Sequence, residues 1–366
     1  MIAMLKRVLF VFLFLCSSMV YGQSRDSLVA LFLQEPNEEF VAIKCDKDWE
    51  QNFHYATILH VGDKYVMYYR TFNRDTDTKL LYCYAESQDG IHWTKPDLGL
   101  YEYAGDKRNN ILSDRFNGAS FEYNDGIYYL LADRMYDSID NTDNKALYLL
   151  KSTDGKVFSM TDTIPAPLVC DTHNELLWDR WTKTYKWYLR SWSLPLNLVP
   201  SPNHSRARYR TVSFAETKQP DVFQVYNMFK AKNRKATNAV TLKEELPVVM
   251  RNVTQEDYDI YTPCVHQYRK DLYIAYPTYY YHIPDLEHGG KSDNNGPGLV
   301  AMWVSTDGEH FFELNDKYMT NGDNWLEYCI GHVETDTCFI HYYITFDNPH
   351  RGTKPNTIKG RIHNKQ

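Results

Sequence analysis

The chain has 366 residues, and 40 Lys+Arg against 47 Asp+Glu give it a formal charge of −7. That balance argues against a phosphate backbone or an anionic membrane surface as its main partner, because affinity for either comes largely from Lys and Arg, so no nucleic acid is expected. With 43% hydrophobic and 24% charged residues the composition is ordinary for a globular protein and excludes a disordered chain, and 15% aromatics (30 Tyr, 17 Phe, 8 Trp) suit half-buried pleated surfaces.

Residues 1–22 read as a signal peptide. Lys6-Arg7 precedes an apolar run from Val8 to Cys16, and a small residue, Gly22, stands at a plausible cut. The run is too short to span a bilayer, and no later stretch approaches 18 apolar residues. The expectation is a periplasmic or secreted protein with no integral membrane segment after cleavage. Lipid anchoring at Cys16 is less favoured, because the bulky Leu15 precedes it. Residues 23–39 form a lead-in with a short helix over 26–35. None of the six remaining cysteines forms a CxxC pair, which argues against a zinc ribbon or thioredoxin-type site, and a chain this long needs no disulfides to supply a core, so mostly free, buried thiols are expected, with one or two bridges allowed.

From residue 40 onward one phrase recurs: an apolar strand, a polar turn and an aromatic-rich strand. It runs Thr57–Arg70, Ala119–Asp133, Glu175–Arg190, Pro263–Pro277 and Gly331–Thr345, each a hairpin by its turn residues. A second phrase, Ser-x-Asp-Gly-x-x-aromatic, follows three of them: Ser87/Asp89/Gly90/Trp93, Ser152/Asp154/Gly155/Phe158 and Ser305/Asp307/Gly308/Phe311. The segment from Tyr209 with Phe223 reads as a degenerate fourth copy, and 240–258 as an irregular insertion. Five such units predict an all-β, five-bladed β-propeller over residues 40–366, with blades starting near 55, 117, 174, 262 and 330. The segment from Phe40 to Cys45 pairs with Thr357–His363 to close the ring in this reading.

The first strand of each blade lines a narrow funnel, so side chains at the start of those strands are the candidates for chemistry. Two or three carboxylates in one aromatic-walled pocket suit acid–base cleavage of a glycosidic bond. The candidates are Asp171, Asp114, Glu50, Asp259 and Glu175 as catalytic groups. His54, Tyr55, Arg115, Asn117, His173, Asn174, Tyr261, His266, Trp325, Glu327 and His332 are candidate contacts to an oligosaccharide or polysaccharide substrate. No HxH or HExxH spacing supports a metal among the histidines, and no cofactor is expected.

The stretches Tyr65–Arg70, Tyr84–Gly105, Asn109-Asn110-Ile111, Cys170–Asp179, Tyr261-Thr262-Pro263 and Asn324-Trp325 resemble a group of exported bacterial proteins. Those proteins are similar to the five-bladed catalytic module of glycoside hydrolase families 32 and 43, and the resemblance runs from about Phe40 to Thr345. It implies an Asp before the first strand of blade one as nucleophile or base, a helper Asp from a second blade and an acid Glu from a later one. Here the first position falls on His54 or Tyr55, with Glu50 the nearest acid. The second falls near Asn117, with Asp114 the nearest acid, and blade three offers Asp171 or Glu175. The Asp-Pro and Arg-Asp-Pro motifs of those families are absent. The function expected is therefore an exported glycosidase removing a terminal sugar, a furanose among the candidates. A non-catalytic glycan-binding propeller, or a glycoside phosphorylase with Arg115, Arg190 and His173 around phosphate, are the alternatives.

Overall fold

The computed structural model describes residues 24–73, 77–136, 143–161, 165–193, 209–232, 240–242, 246–254, 256, 258–282, 296–350, 352 and 354–365. The proposed signal peptide lies outside them. The five hairpins fold as the first two strands of five antiparallel sheets.

Blade one contains Asn52–Val61, Lys64–Asn73, Asp77–Ser87 and Ile111–Ser113. In blade two the inner strand is split into Phe116–Asn117 and Ser120–Asn124, followed by Ile127–Tyr136, Asp143–Ser152 and Ser159–Met160. Blade three orders Glu175–Asp179, Thr184–Ser193, Tyr209–Thr217 and Val248–Met250. In blade four both halves of the hairpin are interrupted: Tyr258–Ile260 and Val265–Arg269 pair with Thr278–Tyr281 and Leu272–Ala275, before Gly298–Ser305 and Phe312–Met319. Blade five runs Leu326–Tyr328 and Val333–Glu334, Cys338–Thr345 and Thr357–Asn364. Its fourth strand is Glu38–Lys44, in register from Glu38 opposite Ile362 to Lys44 opposite Thr357.

The core is divided among the gaps between blades. Ile43, Tyr342, Phe53 and Met67 fill the gap between blades five and one, and Leu59, Val66, Phe121 and Leu130 that between one and two. Leu131, Leu147, Leu176 and Trp187 pack between two and three; Leu177, Tyr188, Tyr258 and Tyr273 between three and four; Tyr268, Ile274, Tyr328 and Phe339 between four and five. Each fully buried side chain of this size contributes roughly 1.5–3 kcal/mol, so a blade is stable only between its neighbours.

Two helices cover the ends of these gaps. Helix α1, Arg25–Phe32, is capped by the Ser24 hydroxyl, which accepts from Ser27 N at 3.2 Å. It buries Leu28, Leu31 and Phe32, spaced i, i+3, i+4, against blades four and five. Helix α2, Val222–Lys232, takes the place of the expected fourth copy of the turn phrase. Asp221 accepts from Phe223 N at 2.8 Å, and Val222, Val225 and Phe229 bury themselves at helical spacing between blades two and three.

The Ser-x-Asp-Gly turns follow the third strands; in blades two and four they close the hairpin to the fourth strand, and in blade one the turn returns the chain to a bridge between Glu86 and Thr94. In each, the Ser hydroxyl accepts from the Asp and Gly amides and donates to the Asp carboxylate, which accepts the next two amides. Each turn also receives a tyrosine from the preceding blade. Tyr68 donates to Gly155 O at 2.7 Å, Tyr188 to Gly308 O at 2.8 Å, and Tyr342 to Gly90 O. All six described cysteines are free thiols.

The inner strands run side by side around the axis. Ile58 N donates to Ile330 O at 2.8 Å, and Ile330 N to Ala56 O at 3.0 Å. The next residue, Gly331, has φ +82°, and a Cβ there would lie 2.0 Å from Ile58 O, so only glycine lets these two backbones approach.

Candidate functional site

At the start of the inner strands the backbone turns left-handed in blade after blade, at Tyr55 (φ 51°), Gly118 (φ 61°), Asp171 (φ 60°) and Cys264 (φ 46°). For residues other than glycine each such turn costs roughly 1–3 kcal/mol and persists only where the surroundings impose it. Here it aims side chains from these four blades into one mouth of the channel, where Trp325 and Glu327 of blade five join them.

The Tyr55 ring stacks on His173 (centroids 4.8 Å, 15°), lies under the Arg70 guanidinium at 4.3 Å, and its hydroxyl is 3.5 Å from that of Tyr261. Tyr261 packs edge-on to Trp325 at 5.2 Å and lies under Arg190 at 4.2 Å. Glu327 is fixed by three donors or partners: His54 Nδ1 at 2.8 Å, Trp325 Nε1 at 2.7 Å and Tyr55 N at 3.2 Å. Burial opposes its charge, but these partners outweigh burial and bring its carboxyl down to about 2.

Asp171 pairs with Arg190 Nη1 at 3.1 Å. Burial again works against the charge, yet Arg190 and Arg210 hold the carboxyl below its usual range, so it is ionised. Asn174 supports this pair: its amide donates to Asp171 O at 2.7 Å and its oxygen accepts Arg190 N at 2.9 Å. Asp259 is occupied on both oxygens, by Arg210 N (2.8 Å), the Arg210 guanidinium and His282 Nε2 (3.1 Å). Burial is outweighed here too, and its carboxyl is held low.

Asp133, in the second half of blade two's second strand, is the opposite case. Thr172 Oγ1 donates to its Oδ1 at 3.0 Å, while its Oδ2 has no hydrogen-bond partner. Burial, reinforced by the negative charge of Asp171 and only partly countered by Arg134, pushes its carboxyl up to about 6. Gly118 makes room for it: a Cβ there would fall 2.2 Å from Asp133 Oδ1 and 2.4 Å from Thr172 Oγ1. Two neighbouring carboxyls thus have acidities driven apart, the pattern that separates an ionised carboxylate from a proton donor. Among the described residues no group of three or more His, Cys, Asp or Glu is placed to hold a metal ion.

Of the residues expected from sequence, the structure brings Asp171, Asp259, His54, Tyr55, Asn117, His173, Asn174, Tyr261, Trp325 and Glu327 together. It does not bring in Glu50, whose carboxylate is held by Lys95 Nζ at 2.5 Å and the Tyr69 hydroxyl at 2.7 Å and braces the outer part of blade one. Asp114 accepts from the Tyr101 hydroxyl at 3.1 Å just after blade one's outermost strand, and Arg115 beside it is exposed. Glu175, His266 and His332 are on the inner strands but past the bend, where they line a cavity of about 530 Å³ towards the opposite mouth, together with Glu122, Trp178 and Arg180. Glu175 accepts from Val265 N at 2.8 Å, and its carboxyl is raised by burial. His266 bonds Cys329 O at 3.0 Å and stacks on His332 at 5.3 Å.

Sequence reasoning missed Arg70, Asp133 and Arg210. A signal for the first two existed: Arg70, Asp133 and Arg190 are each the seventh residue of the second strand of a repeated hairpin, so a charge recurs at one position in three consecutive blades.

No family model and no curated protein matches the chain. Solved structures do. One, a complex of BT0996 with RGII, aligns with TM-score 0.54 at 12% identity, covering 93% of this chain and 96% of its own. A structure described as "Glycoside hydrolase" gives TM-score 0.54 at 11% identity, covering 95% and 97%. A mannose phosphorylase from Leishmania mexicana, in complex with phosphate ion, gives 0.52 at 9% identity, covering 93% and 91%. The likeness is one of fold, and it extends over nearly the whole of each chain.

Proposed function

We propose that the chain is an exported glycosidase that removes a terminal sugar from a glycan at the mouth built by Asp171, Asp133, Tyr55 and Tyr261. The observation that carries this reading is the Asp171–Asp133 pair, one carboxyl held ionised by arginines and its neighbour held protonated up to about 6. Asp171 supplies negative charge at the anomeric carbon, Asp133 gives its proton to the leaving oxygen as the glycosidic bond breaks, and water adds to the anomeric carbon, the proton it sheds restoring Asp133. Tyr55 and Tyr261 carry His173 and the Arg70 and Arg190 guanidinium groups on their ring faces and so hold these groups at the mouth, and Glu327 orients His54 and the Tyr55 backbone. The likeness to structures described as a glycoside hydrolase and a mannose phosphorylase is consistent with a glycan substrate.

A second reading draws on Arg70, Arg190 and Arg210, which supply the cationic cluster that a phosphorylase requires; Arg115 contributes nothing to it, being exposed. Incubating the full chain with a panel of aryl glycosides and oligosaccharides, with and without inorganic phosphate, separates the readings. Hydrolysis indifferent to phosphate and abolished by Asp171→Asn supports the glycosidase. Phosphate-dependent release of a sugar phosphate replaces it with the phosphorylase, and binding without turnover replaces it with a glycan-binding module.

A further inference from the structure

We propose that the sugar held in this mouth is acidic, with the Arg70 guanidinium binding the carboxylate of a uronic acid unit. The inference rests on the glycan reading of the site and names its substrate class.

Arg70 is 9% exposed. Its Nη1 donates to the Asn117 side-chain oxygen at 3.0 Å, its Nε has no partner, and the group lies over the Tyr55 ring. Among the described residues no carboxylate stands within 4 Å of it, whereas the other two mouth arginines are each matched, Arg190 by Asp171 and Arg210 by Asp259. A buried cation without an anion costs several kcal/mol, and a cation–π contact returns only about 0.5–2 kcal/mol of that. Asn117 sharpens the point, because an aspartate of the same shape would have completed the pair and the chain carries a neutral amide instead. The missing negative charge is thus left for the ligand to bring.

The charge count selects the kind of anion. Among the described residues Arg70 is the one of the three arginines without a matching carboxylate, and a ligand carboxylate answers it with one negative charge in the planar, two-oxygen geometry that a guanidinium fits. A phosphate dianion would place a second, uncompensated charge near Asp171 and Glu327, both ionised. Next to Arg70, on the same tyrosine ring, His173 is 3% exposed and its Nε2 has no partner. Burial holds this imidazole neutral, and its N–H is used by the Ala119 backbone oxygen, which leaves Nε2 as the acceptor for a sugar hydroxyl. The carboxylate and one hydroxyl of the same ring would then be read together.

Calorimetric titration of the full chain with glucuronic, galacturonic and iduronic acid, their neutral counterparts and inorganic phosphate tests this. The expected result is at least one uronic acid bound about tenfold or more tighter than its neutral counterpart, with the preference lost in Arg70→Gln. Asn117→Asp, which supplies an internal partner for Arg70, should abolish the preference as well, and it keeps the test open if Arg70→Gln does not fold. Equal binding of acid and neutral sugars, or Arg70-dependent binding of phosphate alone, overturns the inference. Uronate preference without turnover would leave it standing while removing the glycosidase reading, and turnover of neutral glycosides indifferent to Arg70 would do the reverse.

Discussion

Replacing Asp171 and Asp259 by asparagine, in parallel, distinguishes a reacting carboxylate from a structural one. Both pair with a buried arginine, but the Asp259 side chain is 1% exposed and that of Asp171 is 33% exposed. Removing one partner of a fully buried ion pair costs about 3–5 kcal/mol. At Asp171 solvent screens the lost charge, and an asparagine oxygen still accepts from Arg190, so about 1–2 kcal/mol is expected. Unfolding entropy of about 2.1 cal/mol/K per residue gives, over roughly 340 residues, about 0.7 kcal/mol/K, or ~1.4 °C per kcal/mol. Asp259→Asn should therefore lower the melting temperature by about 4–7 °C and Asp171→Asn by only about 1.5–3 °C. Activity should order them the other way. Asp171→Asn loses at least about 10²-fold in kcat on the best substrate of the panel. Asp259→Asn, whose carboxylate oxygens are both occupied by Arg210 and His282, keeps most of its rate below its new melting temperature. Scanning calorimetry with initial rates at 25 °C reads both quantities. If Asp171→Asn retains its rate, or falls in melting temperature as far as Asp259→Asn, Asp171 is a framework residue and the assignment of the site fails.

Other consequences are open to direct measurement. Gly118→Ala should reduce activity and melting temperature together, because the new methyl meets Asp133 and Thr172 at under 2.5 Å on a backbone with φ +61°; a fully active variant would show that Asp133 need not sit where it does. His363 is buried beside Arg361, and burial followed by the Arg361 charge outweighs a backbone bond to Leu31 and takes it down to about 4. The unfolded chain takes up that proton near 6.5 and the folded one near 4, so folded stability is lost as pH falls below about 6.5 and levels off below about 4, by about 1.4 kcal/mol per pH unit. The stability gap between His363→Phe and the parent should grow in the variant's favour over that window in urea titrations, and a pH-independent gap would remove the effect. Tyr188→Phe, which takes away the donor to Gly308 O, should cost about 1–3 kcal/mol, seen as a fall of about 1.5–4 °C; no fall would mean that water replaces the hydroxyl. Mass spectrometry of the exported protein should find a chain starting near Gln23, and an intact Met1 would remove the signal-peptide reading.

The blades were legible because each is a local pattern. Two strands and a turn such as Asn124–Ile127 lie within about fifteen residues, and alternation with turn chemistry announces them. The Ser-x-Asp-Gly turns were equally plain, since Ser87 and Asp89 satisfy amides only two or three residues away. The site was legible in part. Asp171, His173 and Asn174 stand together in the chain and in space, whereas Arg70 and Asp133 reach the mouth because strands 40–60 residues apart share a register around the axis. Proximity in the chain misled at Glu50, the acid nearest the first inner strand, because nothing within a few residues reveals that Lys95 and Tyr69 hold it elsewhere. The bends at Tyr55 and Cys264 left no trace either, since neither residue type advertises a left-handed backbone. Without those bends, Glu175 and His266 could not be separated from the residues just before them. Helix α2 was hidden for a different reason: Phe223 fits the aromatic position of a turn as well as the first turn of a helix.

The seam at which Glu38–Lys44 lies against Thr357–Asn364 has a kinetic side. These strands are separated by roughly 300 residues, so bringing them together costs roughly 5 kcal/mol of chain entropy, far more than any hairpin inside a blade. The strand contributed from the front of the chain is therefore expected to dock after the other blades have assembled. Until it does, Thr357–Asn364 presents a free edge that any matching strand can extend. A second molecule in the same state offers an identical Glu38–Lys44 strand, and the exchange satisfies the same backbone bonds. Refolding at high protein concentration should accordingly yield strand-exchanged dimers, and dilution before the last strand docks should suppress them.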